Sequence, residues 1–121
     1  MNYPFWDIPH LGSGWVIGLI AIFHEARTLL SRPGNDFRRA SRWECADDAR
    51  RDVDAILETL RGGDYPQPIG MRLIFGPTSD MQEVSIGSGW SNEFAALAAR
   101  FDRAAAKFER QPPLRVIKSA K

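Results

Sequence analysis

Residues 69–94 read Ile69-Gly-Met-Arg-Leu-Ile-Phe-Gly-Pro-Thr-Ser-Asp-Met-Gln-Glu-Val-Ser-Ile-Gly-Ser-Gly-Trp-Ser-Asn-Glu-Phe94. Two runs in this stretch carry the period of two that marks a half-buried strand. Met71, Leu73 and Phe75 share one face of the first, and Val84 and Ile86 share one face of the second, Gln82–Ile86. Gly76-Pro77-Thr78-Ser79-Asp80 between them has turn chemistry, because proline presets φ and Ser and Asp bond nearby backbone. Pairing Phe75 with Gln82 sets Leu73 opposite Val84 and Met71 opposite Ile86. One face of the predicted hairpin is then apolar, and the other places Arg72 diagonal to Glu83. An isolated hairpin is marginal in water, so this face needs helices against it. The expected fold is α+β, a small single domain of order α-α-β-β-α with its helices packed on one face of a β-hairpin.

The flanks supply the helices. On the C-terminal side Ser91 is a predicted cap, with Asn92 and Glu93 in the first turn and Trp90 just before it. Phe94, Leu97, Phe101, Ala105 and Phe108 follow at helical spacing. Pro112-Pro113 ends this helix and opens a basic tail, residues 112–121. On the N-terminal side the extended linker Asp64-Tyr-Pro-Gln-Pro68 follows Gly62-Gly63, a natural helix stop. Before it, Asn35–Arg61 reads as one long helix or two collinear ones. Phe37, Ala40, Trp43, Ala46, Ala49, Val53, Ile56 and Leu60 make its stripe, and Ser41-Arg42-Trp43-Glu44 has the form of a capping box.

Residues 1–10, Met-Asn-Tyr-Pro-Phe-Trp-Asp-Ile-Pro-His, form an aromatic arm that Pro4 and Pro9 keep from being helical. After Gly12-Ser13-Gly14 an apolar run, Trp15–Phe23, leads into a helix that continues to Leu30. Trp15, Leu19, Ile22, Ala26 and Leu29 lie on one side of it. As a helix the thirteen residues Leu11–Phe23 reach about 20 Å, against about 30 Å of bilayer hydrocarbon. Glu25 and Arg27 block extension, and no Lys or Arg precedes Arg27 to form the basic start of a signal peptide. A buried core helix is therefore preferred to a membrane segment.

The opening Tyr3-Pro-Phe-Trp-Asp-Ile-Pro-His-Leu-Gly-Ser-Gly-Trp-Val-Ile-Gly-Leu-Ile-Ala-Ile-Phe-His24 resembles the start of bacterial haem-binding membrane cytochrome subunits. Such subunits begin with an aromatic arm, a glycine turn and a first transmembrane helix with a histidine near its end. The resemblance implies a membrane setting and makes His24 the candidate haem ligand. It covers about a fifth of the chain and stops at His24, where Glu-Ala-Arg-Thr-Leu-Leu follows. Residues 25–121 resemble no family we recognise.

Composition bounds the function classes. The 121 residues are 44% hydrophobic and 26% charged, which suits one globular domain rather than a disordered chain. Sixteen basic and fifteen acidic residues leave a formal net charge of +1. That balance argues against a nucleic-acid binder held by phosphate contacts. Cys45 is the single cysteine, which excludes an intrachain disulfide and a cysteine zinc site and points to a reducing, cytoplasmic setting.

No catalytic constellation emerges. Gly-Ser-Gly-Trp occurs at 12–15 and at 87–90, each copy before a predicted helix, but neither carries the P-loop lysine nor completes G-x-G-x-x-G. A tight turn explains both. His10 and His24 are the two histidines, and fourteen residues of helix separate them by about 21 Å, too far to share a metal. Arg38, Arg39, Arg42, Arg50, Arg51 and Arg61 alternate with Asp36, Glu44, Asp47, Asp48, Asp52, Asp54 and Glu58. That mixture reads as a solvated helix face. Part of it, Arg38, Arg39 and Arg42, is a candidate partner surface, as are Tyr3, Phe5 and Trp6 of the arm, because arginine and aromatics anchor interfaces. The expected function is that of a small non-enzymatic protein-binding module without cofactor, of the immunity-protein, antitoxin or defence-inhibitor kind. The alternative is a membrane-associated accessory subunit using residues 11–30, beside a haem protein.

Overall fold

The computed structural model describes residues 14–62 and 66–110, and among them every regular element is a helix. The order is α1 (Gly14–Leu30), α2 (Ala46–Arg61), α3 (Pro68–Phe75), α4 (Asp80–Ser88) and α5 (Ser91–Arg110). The expected α+β fold is corrected: no hairpin is present in residues 69–94, and Leu73 does not pair with Val84.

The long helices carry one apolar stripe each. Leu19, Ile22, Ala26 and Leu29 of α1 are buried as their spacing implied, together with Val16, Phe23 and Leu30. Ala49, Val53, Leu57 and Leu60 of α2 and Phe94, Leu97, Phe101 and Ala105 of α5 complete the stripes. Both α2 and α5 run antiparallel to α1, as the ion pairs at the seams show. Arg27 clasps Asp54 through Nε–Oδ1 at 2.7 Å and Nη2–Oδ2 at 3.4 Å, and His24 meets Arg61 further along the same seam. On the other side Arg100 clasps Glu25 at 2.8 Å, and Arg32 lies 3.6 Å from Glu93. These pairs are solvent-exposed and stabilise modestly. They fix which helix turns face one another.

Residues 68–88 form two short helices because the local signals are helical once the pairs three and four apart are counted. Pro68 occupies the first turn of α3, where its missing N–H costs nothing. Met71, Ile74 and Phe75 are buried, and Leu73 points outward. Met81, Val84 and Ser85 of α4 repeat that spacing and are buried, while Ile86 is exposed. The Ser79 hydroxyl accepts the Gln82 amide at 3.1 Å, and the Gln82 side chain accepts the Thr78 amide in return. This reciprocal capping fixes the start of α4. Gly76 turns the chain between the helices so tightly that a Cβ there would stand 3.0 Å from the Arg72 carbonyl oxygen. Gly89 ends α4 in the left-handed region at φ 86, where glycine carries no steric penalty. Trp90 then accepts the Phe94 amide at 3.0 Å. Trp90 thus holds the cap position of α5, and Ser91, the expected cap, is the first helical residue.

Residues 31–45 are irregular, so the long helix expected from Asn35 is corrected to α2 alone, and Ser41–Glu44 is not a capping box. The reason lies in α4. The Asp80 carboxylate accepts the Ser41 amide and hydroxyl, both at 2.9 Å, and the Arg42 and Trp43 amides at 2.7 and 3.1 Å. These charge-assisted bonds hold the 41–43 backbone in a loop. Trp43 enters the core from it, with Nε1 donating to Asp52 at 2.8 Å. Asn35 works similarly at the far end of the loop. It donates to the Leu29 carbonyl at 2.9 Å and accepts from Trp90 Nε1 at 2.8 Å.

Four rings join α3 to the long helices. Phe75 stacks on Phe101 at 4.8 Å and on Phe94 at 6.3 Å, and Phe23 of α1 meets Phe75 at 5.5 Å. The arm (1–10) and the basic tail (112–121) lie outside the described residues. Among the described residues no helix is long and apolar enough to cross a membrane.

Candidate functional site

The sequence singled out six partner-binding residues. Tyr3, Phe5 and Trp6 lie outside the described residues. Arg38, Arg39 and Arg42 sit on the 31–45 loop rather than on a helix, and each is engaged within the chain. Arg38 pairs with Asp36 through Nη2–Oδ2 at 2.7 Å, Arg39 with Glu83 of α4 at 3.0 Å, and Arg42 with Asp52 of α2. Two of the three therefore tie the loop to neighbouring helices. The Arg38 hydrogen bonds bring the Asp36 carboxyl down to about 2. Burial pushes the Asp80 carboxyl up, but the amides of Ser41, Arg42 and Trp43 outweigh it and hold Asp80 below the usual carboxylate range.

His24 is exposed on α1, in a cleft of about 410 Å3 between α1 and α2. Arginine can only donate, so the His24 Nε2 facing Arg61 is the acceptor. Among the described residues no group of three or more His, Cys, Asp or Glu is placed to hold a metal ion. The second Gly-Ser-Gly-Trp is the end of α4 and its left-handed stop, with the Ser88 hydroxyl accepting the Asp36 amide at 2.8 Å. That hydroxyl closes a contact between α4 and the 31–45 loop.

The surface that sequence reading missed is the outer face of α3. Ile69 is 70% exposed and Leu73 57% exposed. They stand one helical turn apart, with the exposed Arg72 between them. Beside them a cleft of about 370 Å3 opens where α3, α4 and α5 meet. Phe75, Phe94 and Phe101 line it, with Arg72, Gln82 and Asp102 among the polar groups around it. An apolar ledge next to an aromatic-lined cleft with both charge signs nearby can take an apolar side chain and orient the polar groups around it. The signal was present in the sequence. Helical spacing of Met71, Ile74 and Phe75 leaves Ile69 and Leu73 together on the other side.

No family model, curated protein or solved structure matches this chain.

Proposed function

We propose that this chain is a non-enzymatic helical module that acts by contact with another protein, as small immunity proteins, antitoxins and other defence-system inhibitors do. The observation that carries the reading is the exposed pair Ile69 and Leu73 beside the Phe75–Phe94–Phe101 cleft. Large apolar side chains adjoining a pocket are the usual centre of a protein interface. The partner would bring an apolar anchor for the cleft and cover the ledge. Its polar rim would meet Arg72 and Asp102. A cytoplasmic setting fits the single cysteine. Arg39 and Arg42 are engaged by Glu83 and Asp52, which favours the α3 face over the loop as the contact surface in this reading.

Affinity capture from the native host tests this with three baits: the unaltered chain, Leu73→Asp and Arg38→Ala. A protein held by the first and third and lost from the second supports the α3 face, with affinity expected to fall at least about tenfold, near 1.4 kcal/mol. Identical retention on all three baits overturns it. Circular dichroism of Leu73→Asp checks that the fold is intact, as an outward side chain allows.

A further inference from the structure

We propose that the turn at 76–79 is a lip over the cleft between α3, α4 and α5, and that an apolar anchor reaches the aromatic floor of the cleft only when this lip opens. The proposal rests on that cleft being the contact site and names how it is entered.

The floor is covered in the folded chain. Phe75, Phe94 and Phe101 line the cleft, yet they are 6%, 6% and 1% exposed. A side chain large enough to stack on these rings therefore needs part of the rim to move. Gly76, Pro77 and Gln82 belong to that rim. Beside them stands Thr78, the only residue other than glycine with a positive φ among the described residues.

The sequence explains the strain. Gly76-Pro77-Thr78-Ser79 closes through the Ser79 amide, which donates to the Gly76 carbonyl at 3.1 Å. Proline in the second place and a positive φ in the third mark a type II turn, whose third place calls for glycine or asparagine. Here that place holds Thr78 at φ 61, where a β-branched side chain is an outlier. Two bonds keep it there. The Thr78 amide donates to the Gln82 side-chain oxygen, and the Thr78 hydroxyl donates to the Pro77 carbonyl. The first bond is made by a side chain of the cleft rim. An anchor that draws Gln82 aside thus loosens Thr78, which relaxes to ordinary extended backbone and carries Pro77 with it. Strain of this kind lowers the cost of opening, and it gathers at segments that switch. The cap bond from the Gln82 amide to the Ser79 hydroxyl does not involve Thr78, so α4 keeps its start while the turn opens.

Two variants of the full chain separate the strain from the hydroxyl bond, which both of them lack. Thr78→Asn introduces a residue that tolerates the left-handed region, and Thr78→Val keeps the β-branch. Circular dichroism checks that both keep the helical fold, as an exposed turn residue allows. Hydrogen-exchange protection of the Ser79 amide reads the opening, with the α5 amides as the reference for global unfolding. Titration with indole, followed by the Phe94 and Phe101 ring signals, reads access to the floor. Thr78→Asn should raise Ser79 protection and weaken indole binding, each at least about fivefold, and Thr78→Val should do neither. Equal shifts in both variants would assign the effect to the hydroxyl and overturn the proposal. Indole that binds all three chains alike, or that leaves both rings unmoved, overturns it too. The outcome is separable from the partner reading. Capture indifferent to Leu73→Asp, with both Thr78→Asn effects present, removes the partner reading and leaves the lip. Capture lost on Leu73→Asp, with indole indifferent to Thr78→Asn, removes the lip alone.

Discussion

The frame of α1, α2 and α5 and the inserted pair α3–α4 are stabilised in different ways. Each frame helix is 16–20 residues long and keeps one continuous apolar stripe. The α1–α5 seam is edged by two ion pairs about two helix turns apart, and the α1–α2 seam by the Arg27–Asp54 pair and the His24–Arg61 hydrogen bond. The inserted helices have 8 and 9 residues, too few to be stable alone. They hold their shape through what surrounds them: Pro68 and Ser79 at their starts, Gly76 and Gly89 at their ends, Asp80 gripping the loop, and Phe75 wedged between two rings of α5. A frame helix is specified by its own residues, and an inserted helix by its ends and its contacts. That difference also explains why the exposed apolar ledge is on α3. A helix of two turns that must bury Met71, Ile74 and Phe75 has few positions left, and two of them are Ile69 and Leu73.

The sharpest break in this comparison is expected where the two regions meet. Phe101 touches Phe23 of the frame and Phe75 of the insert. Phe101→Ala should cost about 3–5 kcal/mol in chemical denaturation, by loss of a large buried ring. Leu57→Ala, within the α1–α2 seam, should cost about 2–5 kcal/mol. Hydrogen exchange at the α4 amides should then rise only with global unfolding.

A smaller effect is expected at the loop joint. Asp80→Ala removes four hydrogen bonds whose donors can turn to water in part, so a loss of about 1–3 kcal/mol is expected. The joint should also be acid-sensitive. The folded-state pKa of Asp80 is lowered and that of Asp36 falls to about 2. Their stabilisation is therefore complete above the unfolded carboxylate value of about 4 and is lost as pH falls through the lower folded values. Thermal melting measured from pH 5 down to pH 2 should fall less steeply for Asp80→Asn than for the unaltered chain. Equal slopes would remove Asp80 from the account. Ser79→Ala should cost about 1 kcal/mol through the α4 cap, read as increased amide exchange over residues 80–84.

The stripes of α1 and α5 could be read from the sequence because four or five apolar positions repeat over several turns, and only one secondary structure fits that many. Five-residue runs such as Met71–Phe75 fit both periods. Met71 and Phe75 are inward in either reading, so the choice rests on Leu73 against Ile74. The ends carried the missing information: Pro68 is placed as a first-turn residue, and Ser79-Asp80-Met81-Gln82 has the serine and glutamine of a capping box. The same pattern at Ser41–Glu44 was misleading, because the Asp80 carboxylate, 38 residues away from Arg42, outcompetes helix formation there. No local rule shows a long-range acceptor. For the candidate site, the arginines at 38, 39 and 42 are legible in the sequence as charges but not as partners of Asp36, Glu83 and Asp52, because those carboxylates come from a turn and from other helices.

The two readings of α3 make opposite demands on adjacent residues, and that contrast is the most direct test of the fold. Equilibrium denaturation of Ile74→Ala and Leu73→Ala, compared side by side, measures it. The helical insert expects Ile74→Ala to cost about 2–5 kcal/mol, as a buried side chain does, and Leu73→Ala to change stability by less than about 0.5 kcal/mol, as an exposed one does. A large loss at Leu73 with little change at Ile74 would restore the alternating strand and contradict the structure.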